Sequence, residues 1–278
     1  MPCILVTAFM ISRRSYARHA TGAACREVEN SRVATPRACR ACDNGSRSRL
    51  RTRPMLTVHH LNNSRSQRVL WLLEELGLSY EVALYQRDPE TMLAPESLRQ
   101  VHPLGKSPVL TDGEMTVAES GAIIEYLVER YGEGRLVPPP GTAERLRYRY
   151  WLHFAEGSAM PPLLLKLIFD RIPTMPMPFF VRPIARGISA KVLARMVKPN
   201  LERQLDFMEV ELGKTEWFAG DEFTAADIQM SFPLEAAAQR AGLDATRPHL
   251  KGFLQRIHAR PAYRKALERG GPYSFVND

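Results

Sequence analysis

His102-Pro103-Leu104-Gly105-Lys106-Ser107-Pro108-Val109-Leu110, followed by Ala118-Glu119-Ser120-Gly121-Ala122-Ile123-Ile124-Glu125-Tyr126-Leu127, carries the reading of this chain. Pro108 cannot donate a ladder hydrogen bond, so it belongs at a strand start or edge, and the backbone of Val109 is then free to pair with something extended. Behind Glu119 and Ser120, the apolar residues Ile123, Ile124, Leu127, Val128 and Tyr131 recur at helical spacing. A helix N-terminus with free N–H groups and a serine hydroxyl attracts a carboxylate, and a neighbouring glutamate can hold an ammonium. Lys106 can take a second carboxylate. The pattern predicts a site for a small zwitterion with a peptide-like middle.

The flanking elements agree with one architecture. Leu56 to Leu61 reads as a strand, and Ser66 to Leu76 as a helix with Val69, Leu72, Leu73 and Leu76 on one face and Gly77 as its C-cap. Tyr80 to Tyr85 alternates as a second strand. A polar stretch through Pro89 and Pro95 leads to the strand at Val109, and Asp112-Gly113 turns the chain into Met115-Thr116-Val117. Pro138-Pro139-Pro140-Gly141 reads as a linker. After Thr142 the pattern is helical: Glu144 to Glu156 with Tyr148, Trp151, Leu152 and Ala155 on one face, then Asn200 to Leu212, Asp227 to Ala241, and a segment around Phe253 and Ile257. Pro173-Thr174-Met175-Pro176-Met177-Pro178-Phe179-Phe180 interrupts that pattern.

Trp217-Phe218-Ala219-Gly220-Asp221-Glu222-Phe223-Thr224-Ala225-Ala226-Asp227-Ile228 places Thr224 and Asp227 three apart ahead of an apolar run, the arrangement of a capping box. Its role is expected in folding rather than chemistry. From Met55 onward, these motifs resemble, in order, the cytosolic glutathione S-transferases, and within them a Ser-type bacterial and fungal group. The resemblance implies a thioredoxin-like α/β domain over residues 55–137, a linker over 138–142 and an all-helical domain over 143–278. It names the zwitterion as glutathione, a co-substrate held by Lys106, Ser107, Pro108, Val109, Glu119 and Ser120, with no metal. It also implies a homodimer in the cytoplasm and a hydrophobic electrophile as second substrate, set against Trp151, Phe154 and Met160.

In that family the residue that activates the glutathione thiol lies where the first strand turns into the first helix, here Asn62-Asn63-Ser64-Arg65-Ser66. Ser64 is the first candidate, because a hydroxyl can donate to a thiolate while the helix end adds positive potential. Asn63 is its rival, since an amide can also donate. A thiol near pKa 8.5 is only about 3% ionised at pH 7, and lowering it by about two units requires about 2.7 kcal/mol. The expected reaction is thiolate attack on an electrophile. A peroxidase or disulfide reductase on the same scaffold, or a non-enzymatic binding module, are the alternatives; a binding module would not need Lys106, Pro108, Glu119 and Ser120 together.

Charge and cysteine both break near Met55. Of 38 basic residues, 11 arginines stand in residues 1–54 beside only 3 acids; the rest of the chain has 27 basic and 27 acidic residues. The formal +8 therefore belongs to the first stretch, and no general nucleic-acid footprint is expected elsewhere. Cys3, Cys25, Cys39 and Cys42 all lie in that stretch, so residues 55–278 have neither a disulfide framework nor a thiol nucleophile. Residues 1–54 are expected to be a disordered extension or sequence upstream of a natural start at Met55. His59 and His60 alternate to opposite faces of a strand, which argues against a shared metal site.

Overall fold

The computed structural model describes residues 56–276 apart from 90, 92 and 244. The expectations attached to residues 1–54 lie outside the described residues.

Strand β1 (Leu56–Leu61) runs parallel to β2 (Tyr80–Tyr85), with helix α1 (Ser66–Leu76) making the crossover. A parallel pair needs such a connection, whereas β3 (Val109–Asp112) and β4 (Met115–Ala118) are antiparallel and joined by the two residues Gly113 and Glu114. Gly113 has φ +60°, as a tight hairpin turn requires. The sheet order is β2-β1-β3-β4, with β1 antiparallel to β3. Short helix α2 (Glu96–Val101) precedes β3, and α3 (Ser120–Tyr131) follows β4, buried along Ile123, Ile124, Leu127 and Val128. This is the thioredoxin-like arrangement expected from the sequence.

Helix α1 is buried nearly all round, because α10 (Pro261–Gly270), α3 and α8 (Ala225–Arg240) pack against it together with β1. Gly77 closes it in the left-handed conformation at φ +65°. Trp71 sits at the seam, edge-on to Tyr263 at 5.1 Å and 5.6 Å from Phe223. The sheet half and the helical half thus share one core.

The helical half begins with α4 (Ala143–Phe154), which runs through a π turn (Ala155–Ala159) into α5 (Met160–Arg171) without a break. Tyr148, Trp151, Leu152 and Ala155 are buried on one face, as their spacing predicts. Beyond the proline-rich stretch lie α6 (Arg182–Val192), a second π turn (Leu193–Val197), α7 (Lys198–Leu212), α8 and α9 (Pro248–Ala259). Helix α8 is buried from Ala225 to Ala237 and forms the centre of this half.

The capping box at the start of α8 is formed. Thr224 N–H donates to Asp227 Oδ2 at 2.8 Å, and Ala226 N–H donates to Thr224 Oγ1. Asp227 does more than cap: its Oδ1 accepts from the Phe218 N–H at 2.9 Å, tying the Trp217–Gly220 turn to the helix. Burial pushes the Asp227 carboxyl up to about 6, against the pull of its hydrogen-bond donors.

Candidate active site

Two adjoining cavities lie where the central strands β1 and β3 end and begin, and share Arg65 and Ser107 in their walls. The smaller, about 100 Å³, is lined by Lys106, Ser107, Pro108, Glu119 and Ser120 together with Arg65, His102 and Glu156. The larger, about 600 Å³, is lined by Asn62, Asn63 and Ser64, by Met160 and Leu164 of α5, by Phe232 and Arg240 of α8, and by Ser274 and Phe275 near the C-terminus. A further cavity of about 560 Å³ beside Val137–Pro139 and Gly220–Thr224 shares no residue with either.

Val109 stands differently from expectation. It is fully buried and registered between His59 of β1 and Ala118 of β4, so both of its sides are occupied by the sheet. The residue at the strand's mouth is Ser107. Its Oγ donates to the His59 carbonyl at 2.8 Å and accepts the Leu61 N–H at 3.2 Å, finishing the end of β1, and it lines both cavities. Ser107 lines both cavities and Val109 lines neither.

Glu119 is held with φ +69°, a left-handed conformation uncommon for a side chain of this kind, and it begins α3 with its carboxylate exposed at the smaller cavity. Ser120 is buried behind it, and its hydroxyl hydrogen-bonds Glu156. Glu156, unforeseen in the sequence reading, comes from the π turn between α4 and α5. A π turn adds a residue to the helix and re-aims the side chains it carries. Arg68 Nη2 meets Glu156 Oε1 at 2.5 Å and Arg65 Nε meets Oε2 at 3.1 Å. Burial works to raise the Glu156 pKa, but the Arg68 and Arg65 charges outweigh it and hold the carboxyl below its ordinary value. Arg68 itself is 1% exposed and also donates to the Gln229 carbonyl of α8 at 2.7 Å. This cluster, with Arg68 buried and Arg65 and Glu156 half-buried, ties the wall of the smaller cavity to the helical half.

Asn63 and Ser64 both line the larger cavity, yet their polar atoms are committed differently. Ser64 Oγ lies 2.7 Å from Ser66 Oγ and accepts the Ser66 N–H at 3.2 Å. Ser66 Oγ in turn lies 2.9 Å from His60 Nδ1. Burial pushes His60 down to about 4, so the ring is neutral at pH 7, and the Gly270 carbonyl hydrogen-bonds it. A proton on Nε2, facing that carbonyl, leaves Nδ1 as an acceptor. With Ser66 donating to Nδ1, the Ser64 hydroxyl can donate to Ser66, whose Oγ also lies 3.4 Å from the Leu61 carbonyl. The glycine permits this approach: a Cβ at Gly270 would lie 2.7 Å from Gln67 Oε1 and 3.2 Å from His60 Cε1.

Asn63 adopts φ +50°, a left-handed turn that asparagine tolerates better than most residues. Its Oδ1 accepts the Ser274 N–H at 2.8 Å, which fixes the amide plane and leaves the NH₂ for the cavity. The Ser274 segment is itself anchored, since Gln239 Nε2 donates to the Ser274 carbonyl at 2.7 Å and Phe275 packs 5.1 Å from Phe232.

Of the three residues expected to face the second substrate, only Met160 lines the larger cavity. Trp151 is 1% exposed in an aromatic cluster with Phe154, Phe207 and Phe218, its ring 4.5 Å from Phe218. Phe154 belongs to the same cluster. Helical periodicity identifies the buried face of α4 but does not separate core from cavity wall, and the π turn moves the wall to α5. Among the described residues, no group of three His, Cys, Asp or Glu is arranged to hold a metal ion, and no helix is long and apolar enough to cross a membrane.

A parallel-antiparallel four-stranded sheet backed by a helical half, with this cleft between them, defines a thioredoxin-like enzyme scaffold. The family description "Glutathione S-transferase, N-terminal domain" matches residues 54–129, and "Glutathione S-transferase, C-terminal domain" matches residues 174–261. Glutathione S-transferase 3 of Schizosaccharomyces pombe is 38% identical over 218 residues, which is 77% of this chain and 88% of that protein. Among solved structures, a glutathione S-transferase from Actinobacillus pleuropneumoniae shares 32% identity at a TM-score of 0.63, covering 80% of this chain and 95% of that one. The glutathione transferase URE2P6 from Phanerochaete chrysosporium, solved in complex with oxidized glutathione, shares 28% identity at a TM-score of 0.60, covering 79% and 97%. The chain belongs to the glutathione S-transferases, a family of enzymes.

Proposed function

We propose that the smaller cavity binds glutathione and that its thiolate, projecting into the larger cavity, attacks an electrophilic centre held there. One observation carries this reading: Lys106, Ser107, Pro108, Glu119 and Ser120, drawn from two stretches of chain, surround one cavity that opens at Ser107 onto Asn63 and Ser64. Lys106 faces one carboxylate, the α3 N-terminus faces the other, and Glu119 faces the ammonium. The Ser107 main chain supports the peptide between them. Glutathione brings the nucleophile; the protein's task is to stabilise its charged form.

Asn63 is the thiolate donor in this reading. Its amide has uncommitted N–H groups at the larger cavity, whereas the Ser64 hydroxyl is directed into the Ser66–His60 chain. Ser64 supports the turn. The enzyme works in a reducing cytoplasm, where the cysteine-free residues 55–278 need no disulfide, and its chemistry suits the disposal of reactive electrophiles. It acts as a homodimer, for which exposed Leu146 and Tyr150 of α4 and Phe207 and Val210 of α7 supply an apolar face.

Calorimetric titration with glutathione tests the binding step, and glutathione conjugation of a halo-aromatic compound tests the reaction. Glu119→Gln is expected to weaken glutathione binding by roughly tenfold, the loss of one charge-assisted hydrogen bond. A chain that does not bind glutathione overturns the assignment. Sedimentation at micromolar concentration reads the dimer.

A further inference from the structure

Among the described residues, the wall of the larger cavity carries four arginines, Arg65, Arg87, Arg171 and Arg240, and no carboxylate. Arg65 is balanced by Glu156. Arg171 and Arg240 are not: among the described residues neither forms an ion pair. They stand at the last turns of α5 and α8, and a cation there complements each helix dipole. Dipoles alone do not explain why two such helix ends converge on one cavity close enough to repel. Burial first, and then the nearby Arg171 charge, lowers the Arg240 pKa. The Arg240 guanidinium is held over the Phe275 ring at 5.2 Å, so it is placed rather than trailing in solvent. Two like charges kept together beside a cavity are relieved by an anion between them.

We propose that the second substrate is an anion, a small electrophile whose carboxylate is held by Arg171 and Arg240 while its apolar body lies on Met160, Leu164 and Phe232. This rests on the reading that the adjoining cavity binds glutathione. In the simplest such reaction, on a chloro-nitro-aromatic acid, the thiolate sulfur bonds to the ring carbon and the carbon–chlorine bond breaks. Chloride leaves with the bonding pair, and the thiol proton has already passed to solvent.

The test compares 4-chloro-3-nitrobenzoate with its methyl ester, each rate divided by the uncatalysed rate with glutathione. The acid is expected to be favoured, and Arg171→Gln or Arg240→Gln to lower the acid-to-ester ratio of kcat/KM by about tenfold, equivalent to about 1.4 kcal/mol. Arg240→Lys, which keeps the charge, retains most of the ratio. Raising ionic strength lowers turnover of the acid selectively. Equal handling of acid and ester, or variants that depress both alike, overturns the proposal. Glutathione titration of the same samples separates the two failures: a protein that binds glutathione and conjugates the ester without preferring the acid keeps its assignment and loses only the anion site. Should no turnover occur, binding of the unreactive 4-methyl-3-nitrobenzoate against its methyl ester decides the point, and lack of preference counts against it.

Discussion

Asn63 and Ser64 are adjacent in the chain and line the same cavity, but their polar atoms have different partners, Ser274 for one and Ser66 for the other. A hydroxyl carries a single donor, and the neutral His60 ring draws that donor inward through Ser66. An amide has two, and pinning Oδ1 to the Ser274 N–H aims both. Asn63→Gly separates chemistry from conformation, because glycine accepts φ +50° without strain. The variant is expected to stay folded while the bound thiol's pKa moves toward the free value of about 8.5, with turnover at pH 7 reduced by roughly tenfold or more. Ser64→Ala is expected to leave that titration in place and to cost about 1 kcal/mol of stability, as the buried Ser66 N–H at the start of α1 loses its acceptor. Thiolate absorbance of bound glutathione against pH reads both; movement in Ser64→Ala alone would reverse the roles. The sequence made a short turn with two candidates legible and could go no further. The deciding hydrogen bonds run to His60 across the strand and to Ser274, 211 residues away. Glu156 and Arg68 were hidden for the same reason: only the fold brings them 2.5 Å apart.

The segment after α10 acts on the site as an element. Ser274 and Phe275 line the larger cavity, and the Ser274 main chain positions Asn63. Ser274→Pro deletes the N–H and is expected to raise the bound thiol's pKa, while Ser274→Ala keeps the N–H and leaves it unchanged. An unaltered titration in Ser274→Pro would reduce the segment to packing. At the other end of the helical half, Asp227→Ala strands the buried N–H groups of Phe218 and Thr224 together. It is expected to cost about 2–4 kcal/mol, read as a lowered unfolding midpoint in urea, with little change in glutathione affinity. An unchanged midpoint contradicts the folding role. Elements with one apolar face, such as α3 and α4, were legible because a buried stripe repeats in the sequence. Helix α6 was not: the prolines between Pro173 and Pro178 dominate that stretch, and its exposed Ile184 and Ile188 point away from the core. The π turns leave no period to read.

Two buried ionisable groups in different halves pull the stability of the whole molecule in opposite directions with pH. His60 titrates at about 4 when folded, below its ordinary 6.5. Between those values the unfolded chain binds the extra proton, so stability from this group is complete above pH 6.5 and is lost as pH falls toward 4. Asp227 titrates at about 6 when folded, above its ordinary 3.8. Across that window the native state binds the extra proton, so stability rises as pH falls from 6 toward 3.8. Each slope is at most about 1.4 kcal/mol per pH unit, and the windows overlap from about pH 6 to 4, so the two nearly cancel. Glu156 adds its own loss as pH falls below its ordinary 4.5 toward its lowered value. Replacing one partner should expose the other. In Asp227→Asn, stability relative to the native sequence is expected to fall progressively between pH 6 and 4; in His60→Gln, relative stability is expected to rise over the same range. Urea unfolding midpoints at half-unit pH steps measure both differences. Parallel profiles for all three proteins would mean that neither group titrates where its burial places it.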